Sequence, residues 1–189
     1  LGATKIVAGK LSNPKRLALS RDEKGGLSVT GPVHMDGLRL EDPGGDLPGE
    51  AVSARAVLDV DWGRNDAGWS VASRDITGDF RLANRRAGSV KASGGYEAAK
   101  GSAEWDVQLK EVDWRVVNLL PRAWRRGVAM RAGKIADLTA KGTLNDQTVN
   151  GKLQLDLRGA DFTDPPDWLP EGPLDAVHTF AGMISLGGD

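Results

Sequence analysis

The chain has 189 residues, with 25 Lys and Arg against 26 Asp and Glu, and the resulting net charge of −1 argues against a nucleic acid or an anionic membrane surface held by bulk charge. Cysteine is absent, which removes disulfides, thiolate catalysis and Cys-based zinc sites. The 25 glycines, spaced through segments of alternating polarity, mark turns and bulges of an antiparallel sheet, and the length suits a single β-rich domain over 1–189.

Taken in order, residues 3–12 and 16–20 predict two short strands broken at Asn13-Pro14. The turn at 21–26 leads into a strand at 27–30, and a further strand at 31–41 follows, whose apolar phase slips at Gly37 as a bulge would produce. Residues 42–50, rich in Asp, Pro and Gly, predict a loop. The clearest strand is 51–62, where Val52, Ala54, Ala56, Leu58, Val60 and Trp62 share one face and Ser53, Arg55, Asp59 and Asp61 the other.

A hairpin over 63–68 leads to a strand at 69–82 with its own phase change. A turn at 84–88 precedes the strand at 89–96, and the strand at 102–112 aligns Trp105, Val107 and Leu109. Val112 to Gly127 breaks the pattern. There Trp114, Val117, Pro121 and Trp124 recur at helical spacing, with Asp113 placed to cap, Pro121 suited to open a second piece and Gly127 to end it. The reading is a short two-piece helical insertion around 113–126, lying on the sheet with both tryptophans inward.

Strands resume at 128–132 and 134–144, and 149–157 sets Leu153, Leu155 and Leu157 against Lys152, Gln154, Asp156 and Arg158. Prolines 165, 166, 170 and 173 make 163–175 a connector before a last strand at 177–186. The fold class is therefore mainly β: a curved antiparallel sheet of consecutive hairpins, either an open groove or packed like a sandwich.

The glycine-punctuated strands Ala140-Lys-Gly-Thr-Leu and Val149-Asn-Gly-Lys-Leu-Gln-Leu-Asp-Leu, with Asn118-Leu-Leu-Pro-Arg-Ala-Trp and Met130-Arg-Ala-Gly-Lys-Ile-Ala-Asp-Leu before them, resemble the AsmA-like group of bacterial envelope proteins, and within it the YhdP-type and TamB-type members. The likeness is clearest over the second half of the chain. It implies a non-enzymatic module of a long periplasmic protein anchored in the inner membrane, whose curved sheet carries phospholipid acyl chains toward the outer membrane. The membrane anchor is then expected outside 1–189, since no apolar run here is long enough to span a bilayer.

The lipid-contact candidates are the apolar strand positions Val52, Leu58, Val60, Trp62, Trp105, Val107, Leu109, Leu153, Leu155 and Leu157. A dry strand face must be covered by another layer or by a ligand, and acyl chains would contribute about 0.8 kcal/mol per buried CH₂. The same positions also suit an ordinary sandwich core, and the sequence leaves the two open. Arg115, Arg122, Arg125, Arg126 and Arg131 form a basic cluster suited to phosphate or to a solvated helix face, with Arg122 and Arg125 the headgroup candidates.

No catalytic, metal or cofactor motif is present: His34 and His178 are far apart, and Asp59 with Asp61 reads as a surface pair. The alternative function is a structural β-domain of an envelope or secretion assembly that binds other envelope proteins through an edge strand.

Overall fold

The structure, a computed structural model, describes residues 5–41, 50–65, 68–119, 128–163 and 171–185. Period-two alternation dominates these segments, and strands follow from it. They are β1 (Lys5–Ser12), β2 (Ala18–Arg21), β3 (Leu27–Glu41), β4 (Val52–Asn65), β5 (Gly68–Leu82), β6 (Arg85–Glu97), β7 (Ser102–Asp113), β8 (Ala129–Asn145), β9 (Thr148–Thr163) and β10 (Leu174–Ser185). A 3-10 turn, Ala98–Lys100, joins β6 to β7, and a short helix, α1 (Trp114–Val117), follows β7.

All ten strands belong to one antiparallel sheet, ordered as in the chain, with β1 and β2 sharing the outer side of β3. The sheet is open and curved. Of the two arrangements compatible with the sequence, the groove-like one is therefore found. The accessible surface, 12484 Å², exceeds the about 8,700 Å² that a compact monomer of 20.1 kDa presents, as expected of a single open layer.

Bulges set the strand faces. At Gly37 the register jumps from Met35 opposite Ala54 to Leu38 opposite Val52, and the glycine takes φ +64 while its N–H donates to Ser53 Oγ at 3.0 Å. The phase change in β5 is an extra residue between Ser73 and Ile76, relative to both β4 and β6.

Several predicted bounds are corrected. Residues 27–30 and 31–41 form the single strand β3, whose register against β4 runs unbroken through Thr30 and Gly31, and 128–132 with 134–144 fall in the single strand β8, where a bulge between Ala132 and Lys134 keeps the ladder going. The turn expected at 84–88 is Ala83-Asn84, both with positive φ (45 and 67), a two-residue hairpin of the kind whose twist matches the strands. β9 runs on to Thr163 because Ala160 and Phe162 continue its buried side, and β10 begins at Leu174.

The core sits at one end of the sheet, where Val52, Leu82, Val112, Ile135, Leu157 and Ala160 meet Val116 of α1 and Met130 of β8. Asp113 caps α1 as predicted, accepting from Arg115 N at 2.9 Å, and Trp114 packs partly buried against the core. The second helical piece, with Pro121, Trp124 and Gly127, lies outside the described residues, as do the loop at 42–49 and Pro165, Pro166 and Pro170.

What fixes α1 is a buried amide. β7 last pairs with β8 at Asp113 and Lys134, so Met130 has β9 on one side and no strand partner from β7 on the other. Asn118, 1 % exposed, fills that place: its Nδ2 donates to Met130 O at 2.7 Å and its Oδ1 accepts from Met130 N at 3.1 Å. The side-chain amide thus stands in for a peptide unit. Asn118→Leu keeps the volume but leaves a buried donor and acceptor unpaired, and the expected loss is about 2–4 kcal/mol in urea unfolding.

Candidate functional site

Opposed residues in an antiparallel pair project to the same side, so the register carries one face across the whole sheet. A row of directly opposed residues runs from Val33 through Ala56, Gly78, Val90, Leu109, Leu138 and Leu155 to His178. A second runs from Leu27 through Trp62, Val71, Tyr96, Ala103, Leu144 and Val149 to Ile184. One face is thus apolar from β3 to β10. With strands about 4.8 Å apart, that face extends about 35 Å across the strands.

The ten lipid-contact candidates all fall on this face. Val52 and Leu157 are sealed in the core beside α1 and face no solvent, so they support the surface from beneath the helix. Leu58, Val60, Trp105, Val107, Leu109 and Leu155 are half-buried, and Trp62 and Leu153 are exposed. The sequence reading missed Phe80, Leu138, Trp69, Tyr96, Phe180 and Ile184 on the same face. The β5 bulge obscures the shared side of Trp69 and Phe80, and β10 shows its phase only through its pairing with β9.

The helix covers only one end of the face, packing against β7 and β8. Toward the other end lies an aromatic group: Trp62 is 42 % and Trp69 47 % exposed, and the Trp69 and Tyr96 rings sit 5.0 Å apart at 49°. Trp105 lies flat over Gly142, where a Cβ would collide with its indole and come within 2.8 Å of Asn150 O. Glycine there is a requirement of the close approach of ring to backbone.

The opposite face is polar and ion-paired. Arg74, which with Asp75 spans the β5 bulge, forks onto Asp59 at 2.7 Å and reaches Asp61 at 3.0 Å. The hydrogen bond from Arg74 holds the Asp59 carboxyl below its usual range. These two aspartates are therefore the anionic half of an ion-pair network, joined on the same face by Lys141 with Asp106.

The basic cluster does not act as a unit among the described residues. Arg115 binds Asp113 at 2.9 Å and Glu50 at 2.8 Å and lies 5.8 Å from the Trp114 ring centroid, while Arg131 pairs with Asp161 at 2.6 Å. Arg122, Arg125 and Arg126 lie outside the described residues. His34 is on β3 and His178 on β10, near opposite edges of the sheet. Among the described residues no three His, Asp or Glu side chains come together in a group that could hold a metal ion.

The chain matches no protein-family model, no curated protein and no solved structure.

Two outcomes test this geometry. Gly142→Ala pushes Trp105 off the sheet, with an expected cost of about 1–3 kcal/mol in urea unfolding and a shift in tryptophan emission. The second concerns Asp113, whose carboxyl is pushed up by burial but drawn below its ordinary value of 3.8 by the stronger combined bonds and charge of Arg115. A depressed carboxyl stabilises the fold above its unfolded-state value and loses that contribution as the pH falls through the folded one. Asp113→Asn keeps a capping side chain and removes the charge. Urea midpoints measured from about pH 6 down to about pH 2 should fall less steeply in the variant than in the wild type.

Proposed function

We propose that this chain is a non-enzymatic lipid-binding module of an AsmA-like envelope protein, holding phospholipid acyl chains along its apolar sheet face. The observation that carries the reading is the continuity of that face: its apolar rows cross from β3 to β10, while among the described elements α1 lies over one end alone. Apolar area of this extent on a soluble surface marks a binding site. A flexible hydrocarbon chain suits it, because the side chains along both rows are predominantly apolar and covering them gains about 0.8 kcal/mol for each CH₂.

In this reading the exposed aromatic group of Trp62, Trp69 and Tyr96 meets the part of the lipid where hydrocarbon gives way to polar headgroup, as amphipathic rings do at membrane interfaces. Arg122 and Arg125, in the segment after α1, bring guanidinium groups suited to a headgroup phosphate. The setting is the periplasm, with passage of lipid between the inner and outer membranes and an anchor supplied by sequence beyond 1–189. Among the described residues no helix is long and apolar enough to cross a membrane.

The test uses vesicles of phosphatidylethanolamine and phosphatidylglycerol whose acyl chains carry bromine, a short-range quencher of indole fluorescence. The protein is incubated with the vesicles, separated from them, and examined by native mass spectrometry and by tryptophan emission. Expected are lipid adducts at fixed stoichiometry and quenched emission. Leu153→Asp, at an exposed position between Ala140 and Phe180 on the same face, should abolish both while leaving the melting temperature within a few degrees. Protein that emerges free of lipid, or a Leu153→Asp variant that binds as well as the wild type, sinks the reading.

A further inference from the structure

Three adjacent strands leave regular geometry side by side near the α1 end. In β6 Ala87 is an extra residue between Arg86 and Gly88, in β7 Glu111 takes φ 53, and in β8 the register shifts between Ala132 and Lys134, with Gly133 at φ 89. A left-handed φ is uncommon for a residue with a side chain, and such strained positions and bulges gather where a surface is shaped to bind. Beside them lies a cavity of about 700 Å³, within the size range of small-molecule sites. It opens on the polar face, because Leu109, Val112 and Ile135 turn to the apolar side and leave Lys110, Asp113 and Lys134 on the other.

Four cations line the cavity, Arg86, Lys110, Lys134 and Arg158, against two carboxylates, Glu111 and Asp113. Both carboxylates are already engaged. Asp113 accepts from Arg115 through both oxygens, at 2.9 and 3.0 Å, and Glu111 holds Lys134. Arg158 lies 2.7 Å from Asp156. Arg86 and Lys110 are exposed, and among the described residues their side chains have neither an ion pair nor a hydrogen bond. Asp137 stands opposite Lys110 in the ladder but accepts instead from Thr139 Oγ1, at 3.4 Å. The ladder also sets like charges opposite each other, Arg81 with Arg86 and Lys134 with Arg158. Such opposition destabilises an antiparallel pair, and an anion seated between the cations turns it into attraction.

We propose that this cavity binds a phosphomonoester, with Arg86 and Lys110 as its principal contacts and the Ser89 hydroxyl, also in the wall, as a further donor. The guanidinium fork suits two phosphate oxygens and the ammonium a third. Two uncompensated cations match the charge of a phosphomonoester, which is close to −2 at pH 7 because its second pKa is about 6. The cavity is much larger than a phosphate ion, and its polar, charged walls suit a hydroxyl-bearing carrier such as a sugar or glycerol. Since the site lies across the sheet from the apolar rows, it stands on the cavity alone and does not depend on acyl-chain binding.

The experiment titrates the intact chain by calorimetry with glucose 6-phosphate, with glucose as the neutral control, and by flotation with phosphatidylcholine vesicles that contain phosphatidic acid. Expected is saturable binding of at least one phosphomonoester and none of glucose. The variant Arg86→Gln with Lys110→Gln should bind about a hundredfold more weakly, a factor of about ten for each charged contact removed. It should melt no lower than the wild type, since neither side chain has a partner to lose. Lys91→Gln with Lys152→Gln removes the same charge from exposed positions outside the cavity and should leave binding unchanged. Calorimetric binding assigns the site to a soluble phosphate ester. Flotation without it, lost in the Arg86 and Lys110 variant and kept in Leu153→Asp, assigns it to a lipid headgroup independently of the acyl-binding face. Failure of both probes to bind, undiminished binding by the Arg86 and Lys110 variant, or an equal loss in the Lys91 and Lys152 variant would each overturn the proposal.

Discussion

An antiparallel ladder passes the identity of a face from each strand to its neighbour, and every other feature of this protein depends on that transfer surviving across the sheet. A shift of one residue in any strand would exchange its apolar and polar sides and bury charge. The β5 bulge shows how the phase is kept. One extra residue between Ser73 and Ile76 moves Ile76, Phe80 and Leu82 onto the side already occupied by Trp69 and Val71. Arg74, within the bulge, projects to the polar face, where Asp59 and Asp61 receive its guanidinium. A local irregularity thus corrects the sequence phase and anchors the opposite surface.

The helical departure from strand structure after β7 uses the same logic. Where β7 ends, β8 needs a hydrogen-bonding partner for Met130 and a cover for its apolar side, and the residues after Asp113 supply both. A helix of four residues has no independent stability, since its nucleation cost exceeds the return from so few internal bonds. It persists through Val116 in the core, the Asp113 cap and the Asn118 amide. The packed core is consequently confined to the α1 end, and the rest of the apolar face has no second layer among the described residues.

Much of this architecture was legible in the sequence. The clean alternation of Val52 to Trp62 and of Leu153 to Leu157 gave correct faces, because those stretches contain no bulge, and the slip at Gly37 announced its own bulge through an adjacent change of phase. Asp113 was recognisable as a cap from its place before a helically spaced run. Less was legible where information is shared between strands. The turn at Ala83-Asn84 was hidden because Ala gives no hint of positive φ and the polar Arg85 and Arg86 resemble loop residues while belonging to β6. Whether the apolar face would meet a second sheet is a property of the whole assembly of strands, and no single alternating segment encodes it. The membership of Phe180 and Ile184 in that face likewise emerged only from the pairing of β10 with β9.

The excess of accessible surface over that of a compact monomer has a thermodynamic consequence. A sheet whose apolar face has no second layer among the described residues forgoes hydrophobic stabilisation that a closed sandwich would possess, and the core at the α1 end holds it with fewer sealed side chains. Whatever covers the face binds the folded state and not the unfolded chain, so its binding free energy adds to folding stability by mass action. Folding and any such binding therefore draw on one reservoir of apolar surface, and the open form of the sheet is what keeps that reservoir available.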